Sequence, residues 1–490
     1  MACNMSITVQ VTLLSGKATA VQCGLDDTVE TLQRRAQIAL HVVRGRLVDS
    51  FGRVLDARGS VKDAGLKTGD SLTLHITRAQ AHGSRRGFAF LLGDGSIVTR
   101  GLDGSKIGPT HAQEIQVSSN ALGSAFAAIL GDGSVVTWGA NHDAVDSSAV
   151  REKLKNVQQI QATDFALAAI LVDGSVVTWG HSRVGGDCSA VQDQLKGVQQ
   201  IQASERAFAA ILKDGSVVTW GDVRFGGDSS AVQHQLKNVQ QIQASEAAFA
   251  AILGDGSVVT WGDAWFAGNS GAVHEQLRDV RQIQASSKAF AAIRGDGSVV
   301  TWGHADHGGD SSAVQSRLEN VQQIQASSNA SAAAFAAILD DGSVVTWGHA
   351  DNGGDSILVQ DQLKNVHRIQ ATRSAFAAIR GDGSVVTWGD PEFGGDSSAV
   401  QDQLKNVIQI QASHCAFAAT LGSGSVVTWG DAGDGGDSSA VQDELKNVQQ
   451  IQANGRAFAA ILGDGNIVAW GDVRYGGDGE GGEGSADPRV

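Results

Sequence analysis

Two hydrophobic patterns divide the chain near residue 80. In the first part, "SITVQVTLLSGKATAVQCGL" alternates apolar and polar residues around a Ser-Gly pair, which predicts a β-hairpin. "DDTVETLQRRAQIAL" follows an acidic cap and places Val29, Leu32, Ala36 and Ala39 at helical spacing. "GRLVDSFGRVLD" and "GDSLTLHIT" add short strands. This order of elements predicts a small α+β domain of the β-grasp type over residues 5–78.

The second part of the chain is an array of repeats. Tryptophans recur every 41 residues from Trp138 to Trp302, and the period resumes at Trp347 after the inserted residues "NASA". A first unit, with Arg100 at the tryptophan position, brings the array to ten units over residues 87–478. A period near forty residues is typical of propeller blades and of helical repeats.

The pattern within one unit favours strands over helices. In the fourth unit, "VQQIQAS" alternates, "AFAAIL" is apolar, and "SVVTWG" is β-branched and aromatic. Asp214-Gly215 predicts a tight turn, since glycine tolerates positive φ. Val217, Val218 and Trp220 place apolar groups on both faces of the third strand, so we expect the tryptophan to wedge between neighbouring blades. "DSSAVQHQLKNV" then predicts a short helical or irregular outer segment.

These patterns predict a mainly β fold, a β-propeller-like array of about ten three-stranded repeats preceded by a small α+β domain. The first unit has no "QQIQA" stretch, and nothing after Trp470 supplies one, so we expect no closure by strand exchange. Because propellers typically have four to eight blades, ten units predict a wide ring, an open spiral or a ring with surplus units. Residues 79–86 are predicted to be a linker, and the acidic, glycine-rich residues 479–490 a disordered tail.

The N-terminal part resembles ubiquitin in the stretches "LLSGK", "DDTVETLQRRAQ" and "GRLVDSFGRVLDARGSVKDAGLKTGDSLTLHI". The resemblance implies that ubiquitin's apolar recognition patch falls on Leu14, Val48 and His75, with Thr77 where an aliphatic residue is expected. "TRAQAHGSRRGFAF" follows without a Gly-Gly terminus, so the domain is expected to be a built-in part of the chain. It either binds ubiquitin receptors or ligase components, or serves only as a folding cap.

The repeats resemble the regulator-of-chromosome-condensation type, "V-x-x-I-x-A…A-F-A-A-I-L-x-D-G-S-V-V-T-W-G…G-G". They are closer still to its compact form in the propeller-type β-lactamase inhibitor proteins, whose "V-x-x-x-L-x-x-V" link matches Val232, Leu236 and Val239. Our main hypothesis is a non-catalytic protein-interaction scaffold. The resemblance implies two alternatives, guanine-nucleotide exchange on a small GTPase and inhibition of an enzyme. Exchange ranks lower because it uses an inserted wedge, and the insertion here is the short "NASA" stretch.

The units differ from one another mainly in two loops. One follows the first strand ("SERA", "SSKA", "NGRA") and the other follows Trp-Gly ("DVRF", "DAWF", "HADH"). In an up-down-up blade both emerge on one face of the ring, and arginine and aromatic residues there are typical of protein interfaces. Neutral drift of loops explains the same variation equally well. The candidate protein-binding residues are Arg183, Arg206, Arg224, Phe225, Trp265, Phe266, His307, Phe393, Arg456 and Tyr475.

Composition narrows the function classes further. A net charge of −15 argues against nucleic acid as the main ligand. Four dispersed cysteines, without a CxxC pair, indicate neither a disulfide framework nor a zinc site and fit a cytoplasmic or nuclear setting. "MACNMSITVQ" does not match a signal peptide, and no run of eighteen apolar residues predicts a membrane span. No P-loop, GxSxG or dinucleotide motif is present, so we expect no enzyme activity, no cofactor and no metal.

Overall fold

The computed structural model of the chain describes most of its 490 residues. The described ranges are 6–13, 17–40, 45–50, 52–56, 59–75, 80–84, 86–92, 96–101, 106–107, 112–119, 124–139 and 146–477.

The first described part is a four-stranded sheet with one helix. Its elements are β1 (Ser6–Leu13), β2 (Ala18–Gly24), α1 (Val29–Leu40), β3 (Arg46–Val48) and β4 (Ser71–His75). The sheet order is β2-β1-β4-β3, with β1 parallel to β4 and antiparallel to β2, which is the arrangement of a β-grasp fold. The helix buries Val29, Leu32, Ala36 and Leu40 in the core. Leu40 therefore completes the buried stripe, whereas Ala39 is exposed.

The repeats form ten small antiparallel sheets, which we call blades 1 to 10 in chain order. Blade 1 has four strands, and each later blade has three. The strands are β5 (Gln80–Gly83), β6 (Gly87–Leu91), β7 (Ile97–Gly101), β8 (Lys106–Ile107), β9 (Ala112–Ser119), β10 (Ser124–Leu130), β11 (Val135–Gly139), β12 (Val157–Ala162), β13 (Ala166–Leu171), β14 (Val176–Gly180), β15 (Val198–Ala203), β16 (Ala207–Leu212), β17 (Val217–Gly221), β18 (Val239–Ala244), β19 (Ala248–Leu253), β20 (Val258–Gly262), β21 (Val280–Ala285), β22 (Ala289–Arg294), β23 (Val299–Gly303), β24 (Val321–Ala326), β25 (Ala334–Leu339), β26 (Val344–Gly348), β27 (Val366–Ala371), β28 (Ala375–Arg380), β29 (Val385–Gly389), β30 (Val407–Ala412), β31 (Ala416–Leu421), β32 (Val426–Gly430), β33 (Val448–Ala453), β34 (Ala457–Leu462) and β35 (Ile467–Gly471).

The ten blades close into one ring. The first strand of each blade contacts the first strand of the next, and β33 of blade 10 contacts β5 of blade 1. At this seam, Phe88 and Phe90 of blade 1 share a core with Ala457 and Ala459 of blade 10. The first strands therefore surround the centre of the ring. Among the described residues no strand is exchanged between blades, so packing of neighbouring blades closes the ring.

Strand β5 corrects two predictions from the sequence. Gln80–Gly83 lies in the stretch predicted to be a linker, but it pairs antiparallel with β6 and supplies the first strand of blade 1. The first unit therefore does have a first strand. The sequence concealed it because Ala81, which is 5% exposed, is its one buried apolar residue, and the larger Val and Ile of the other units are missing.

The third strand of blade 4 confirms the predicted wedge. Trp220 is 4% exposed and stacks on Phe208, with ring centroids 5.2 Å apart. Its Nε1 donates a hydrogen bond to the Gly185 carbonyl oxygen, 3.1 Å away in the connection after blade 3. Val218 packs toward blade 3 and Val217 toward blade 5. The same Trp-Phe stacking occurs in blades 2 and 5 to 10, whereas Leu167 takes the Phe position in blade 3 and Arg100 the Trp position in blade 1. Replacing one such buried ring by alanine is expected to cost roughly 3–5 kcal/mol.

Candidate functional site on the loop face

Both variable segments lie on one face of the ring, as predicted. In blade 4 the backbone N–H of Asp222, after the third strand, donates to the Arg206 carbonyl oxygen at 3.0 Å, after the first strand. Ser204 Oγ also donates to the Phe225 carbonyl oxygen at 2.8 Å. We call this the loop face. The Asp-Gly turns lie at the opposite ends of the strands, on what we call the turn face.

Hydrogen bonds between neighbouring loops make the inner rim of the loop face continuous. The backbone N–H of Asp164 donates to Glu205, that of Glu205 to Glu246, and that of Glu246 to Ser287, at 2.9–3.2 Å. Across blades 8 to 10, Arg373 donates to His414 and His414 to Gly455, both at 3.0 Å.

The insertion in blade 7 connects these two runs. Ser287 Oγ donates to the Asn329 carbonyl oxygen at 3.1 Å, and Asn329 Nδ2 donates to Ser374 Oγ at 3.0 Å. The side chains of the inner rim therefore project from a backbone that is held in place from blade 3 to blade 10.

A short 3₁₀ helix follows the third strand in each of blades 3 to 10 and forms the outer part of the loop face. These helices are Ser182–Val184, Val223–Phe225, Ala264–Phe266, Ala305–His307, Ala350–Asn352, Pro391–Phe393, Ala432–Asp434 and Val473–Tyr475. A His or Asp precedes each helix, and a left-handed residue ends it. The second residue of the helix faces solvent, as the 74% exposed side chain of Arg224 shows. The third residue packs inward, as Phe225 does between blades 4 and 5.

This geometry divides the predicted binding residues into two groups. Arg183, Arg224 and Trp265 occupy the second position and are exposed, and Trp265 is 62% exposed although it is the largest side chain type. The Trp265 ring packs edge-on against His304 of blade 6, with centroids 4.6 Å apart. These three residues remain available for contact with another molecule.

The predicted aromatic residues at the third position are half-buried. They are Phe225, Phe266, Phe393 and Tyr475, and each packs against a core between two blades. Three of them lie under a cation, with Arg206 4.8 Å above Phe225, Lys288 5.3 Å above Phe266 and Arg456 5.7 Å above Tyr475. Arg206 and Arg456 thus cover aromatic rings and are themselves half-buried.

His307 is buried, and the expectation that it lies on the exposed surface is wrong. It occupies the third position, is 1% exposed, and its Nδ1 lies 2.8 Å from Ser287 Oγ. Burial lowers the pKa of His307 to about 4, and the nearby charges of Lys288 and His304 act in the same direction. The side chain is therefore neutral at pH 7 and fills the place that phenylalanine takes in other blades.

A polar cluster between blades 9 and 10 was not predicted. Asp434, at the third position, is 1% exposed, and its Oδ1 lies 2.8 Å from Arg456 Nε. Burial raises the pKa of the Asp434 carboxyl. Burial, together with this carboxylate, also raises the pKa of the neighbouring Cys415 thiol to about 12. Cys415 is therefore a protonated thiol at neutral pH, not an activated nucleophile.

Acidic residues on the loop face were not among the predicted binding residues, which were arginine, histidine and aromatic side chains. Asp306, Asp351 and Glu392 stand at the exposed second position in blades 6, 7 and 8. Their equivalence to Arg183 and Arg224 could be found by aligning the units on the Trp-Gly pair. At this second position the outer ring thus carries arginine on blades 3 and 4 and acidic residues on blades 6 to 8. Arg224 also forms an ion pair with Asp222 of its own blade, with Nη2 and Oδ2 2.8 Å apart.

Blade 7 also carries an apolar pair on its outer rim. Ile357 is 76% exposed and Leu358 is 94% exposed. The other units with this segment have serine or glycine followed by alanine at these positions. The pair borders an open groove along β29, which no residue in the described ranges covers.

Of the predicted ubiquitin-like patch, the structure places Val48. It lies half-buried in β3 and pairs with Thr73, while Arg46 pairs with His75. Leu14 and Thr77 are outside the described residues, as are the side chain of His75 and the predicted tail at 479–490.

No helix within the described ranges is long and apolar enough to cross a membrane. No three His, Cys, Asp or Glu side chains of the described residues are grouped so that they could hold a metal ion.

No family model and no curated protein matches the chain. Solved structures match it at low similarity. The CRINKLY WD40 ectodomain of the Arabidopsis thaliana receptor kinase ACR4 is 16% identical with a TM-score of 0.29, covering 65% of this chain and 97% of that one. Prp20p of Saccharomyces cerevisiae is 17% identical with a TM-score of 0.31, covering 50% and 74%. A ubiquitin-based design is 25% identical over 16% of this chain and 95% of that one, with a TM-score of 0.15. At these TM-scores no function follows from the matches.

Proposed function

We propose that this chain is a non-catalytic scaffold whose loop face binds a protein partner. The observation that supports the proposal best is the exposure of Trp265 and Arg224 on 3₁₀ helices that are hydrogen-bonded to the inner loops of their own blades. Tryptophan and arginine are the residue types on which protein interfaces depend most. Because the backbone beneath them is already ordered, little conformational entropy is lost when a partner docks.

The N-terminal domain is the second part of the proposal. Its β-grasp topology and its sequence resemblance to ubiquitin support a ubiquitin-like domain, one that connects the bound partner to ubiquitin receptors or ligase components. Strand β5 begins at Gln80 on the turn face, since the first strands run from the turn face to the loop face. The chain therefore enters the ring from the side opposite the proposed binding face.

Guanine-nucleotide exchange and enzyme inhibition are less well supported. The insertion in blade 7 is tied to both neighbouring blades through Asn329, so it does not project as a free wedge. Inhibition of an enzyme would use the same exposed residues as the scaffold, and it differs only in the nature of the partner.

Affinity capture with the full-length chain tests the proposal. We expect a Trp265→Ala/Arg224→Ala variant to lose a protein that the wild type captures, and we expect the recombinant partner to bind the variant at least tenfold more weakly in calorimetry. The matched control is Val172→Ala/Lys213→Ala, which removes one exposed apolar residue and one exposed cation from the turn face. Loss of the same partner in the control, or capture unaffected by the loop-face variant, would contradict the proposal.

A further inference from the structure

The charges on the loop face are arranged so that the face complements itself. A second copy of a ring can stack face to face on the first through a two-fold axis that lies in the plane between them. If that axis passes between blades 5 and 6, blade 3 of one copy meets blade 8 of the other, blade 4 meets blade 7, and blade 5 meets blade 6. The inner rim of one copy then meets the inner rim of the other, and the outer 3₁₀ helices of one copy meet those of the other.

The exposed second residues of the 3₁₀ helices have opposite charges under this pairing. Arg183 of blade 3 meets Glu392 of blade 8, and Arg224 of blade 4 meets Asp351 of blade 7. All four side chains are exposed. Each pair occurs twice because the axis relates the two copies, so these residues alone supply four ion pairs.

The residue before each helix places a histidine opposite an aspartate in every blade pair. His181 of blade 3 meets Asp390 of blade 8, and Asp222 of blade 4 meets His349 of blade 7. In blades 5 and 6, Asp263 meets His304. No acidic residue at these positions meets another acidic residue, so the pairing avoids like-charge contacts in all three blade pairs.

The inner rim is complementary as well. Asp164 of blade 3 meets Arg373 of blade 8, which occupies the same position in its loop. Glu246 of blade 5 meets the loop of blade 6 that holds Lys288. The rim carries an acidic residue on blades 3 and 5, Glu205 beside Arg206 on blade 4, and a basic residue on blades 6, 8 and 10, so its sign on blades 3, 6 and 8 is the reverse of that on the outer ring. A partner of uniform charge would match one ring and be repelled by the other, whereas a second copy matches both.

Trp265 lies next to the axis in this arrangement. It belongs to blade 5 and packs against His304 of blade 6, so the tryptophans of two stacked copies lie close to the centre of the blade 3–8 arc. An exposed aromatic at the middle of an interface, surrounded by charged pairs, is the usual arrangement of a binding hot spot. Aspartates that recur in the outer segments, such as Asp187 and Asp396, would also oppose each other in this pairing. In blade 3, Asp187 follows the segment that is hydrogen-bonded to the middle of the third strand, and it therefore lies on the outer rim.

We propose that the loop face binds a second copy of this chain in a two-fold, face-to-face dimer. The inference rests on the proposed function, because it uses the same surface, and it names a second copy as an occupant of that surface. The dimer covers Trp265 and Arg224, so self-association competes with binding of any other protein partner.

Sedimentation equilibrium of the purified full-length chain tests the dimer through a charge swap. Variant A is Arg183→Glu/Arg224→Glu, and variant B is Asp351→Arg/Glu392→Arg. Each variant alone places like charges opposite each other, and we expect its dimer dissociation constant to rise at least tenfold. An equimolar mixture of A and B restores opposite charges at all four sites and is expected to dimerise like the wild type. The dimer should also weaken with salt, since the screening length falls from about 10 Å at 0.1 M to 3 Å at 1 M.

The control variant Lys213→Glu/Arg281→Glu changes the net charge by the same amount as variant A, but on exposed residues of the turn face. It should leave dimerisation unchanged. A monomeric wild type at low ionic strength, a dimer indifferent to A and B, or a mixture that stays monomeric would each overturn the proposal. These outcomes are distinct from failure of the proposed function. If the wild type is monomeric but the Trp265→Ala/Arg224→Ala variant loses the captured partner, the scaffold proposal stands and only the dimer proposal fails.

Discussion

His307 shows how a single residue couples the loop face to pH. Its imidazole is buried against Ser287, and its pKa is about 4, below the ordinary value of 6.5. Between these two values the unfolded chain binds a proton that the folded chain excludes. The contribution of His307 to stability is therefore complete above pH 6.5 and is lost as the pH falls toward 4. The free energy at stake is about 3 kcal/mol, at 1.36 kcal/mol for each unit of pKa.

A His307→Asn variant isolates this effect. Asparagine is the natural residue at the equivalent position of blade 7, where Asn352 donates to the Ala332 carbonyl oxygen at 2.9 Å and to Ser374 Oγ at 3.1 Å. We expect urea unfolding to show similar stability for the two proteins at pH 7 but a smaller loss for the variant on acidification to pH 4.5. Parallel losses of stability in the two proteins would rule out titration of His307 as the cause.

At the level of the repeated element, the Asp-Gly turn depends on glycine for two reasons. Gly215 has a φ of +78°, and a Cβ placed on it would lie 2.7 Å from the Cα of Asn238 in the connection to the next blade. The Asp214 carboxylate accepts hydrogen bonds from the Ser216 backbone at 2.9 Å and from its hydroxyl at 2.6 Å, which lowers the pKa of Asp214. The turn and the connection are thus fitted to each other.

We expect Gly215→Ala to destabilise the chain by about 1–3 kcal/mol, since it forces both backbone strain and displacement of Asn238. Gly433→Ala is the matched control. Gly433 stands at the exposed second position of the blade 9 helix, where a Cβ would meet only the Asp431 side chain at 3.1 Å. The control should be neutral or stabilising by up to about 1 kcal/mol, because alanine restricts the unfolded chain. Equal melting temperatures of the two variants would contradict this account of the turn.

The same elements show what the sequence could and could not predict. The strand, the turn and the tryptophan wedge can be predicted from the local sequence pattern, because Val217, Val218 and Trp220 pack on both faces of the blade within one strand. The loop face was also located correctly, because the direction of three strands determines it. Which of its residues are exposed was predicted only in part, since a 3₁₀ helix places residues two and three on opposite sides. Only the fold shows that Trp265 faces solvent whereas Phe266, its neighbour, lies under Lys288.

Closure of the ring is a property of the whole molecule, because no single unit determines it. Blade 10 meets blade 1 through Ala459, which shares a core with Phe88 and is fully buried. Ala250 is the equivalent residue of blade 5 and packs toward blade 6. A carboxylate at either position would be buried between two blades, which is strongly unfavourable, so the interface should open.

Because the ring is closed, opening any one of its ten interfaces yields an open array of ten blades. We therefore expect Ala459→Asp and Ala250→Asp to increase the radius of gyration in X-ray scattering by the same amount and to lower the melting temperature similarly. Nearest-neighbour coupling in repeat proteins leaves the other nine interfaces intact, so far-ultraviolet circular dichroism should change little in either variant. A radius that grows for Ala250→Asp but not for Ala459→Asp would mean that blades 1 and 10 are already apart in solution. The face-to-face dimer would survive that result only if blades 3 to 8 suffice for it, because those six blades carry all of its charge pairs.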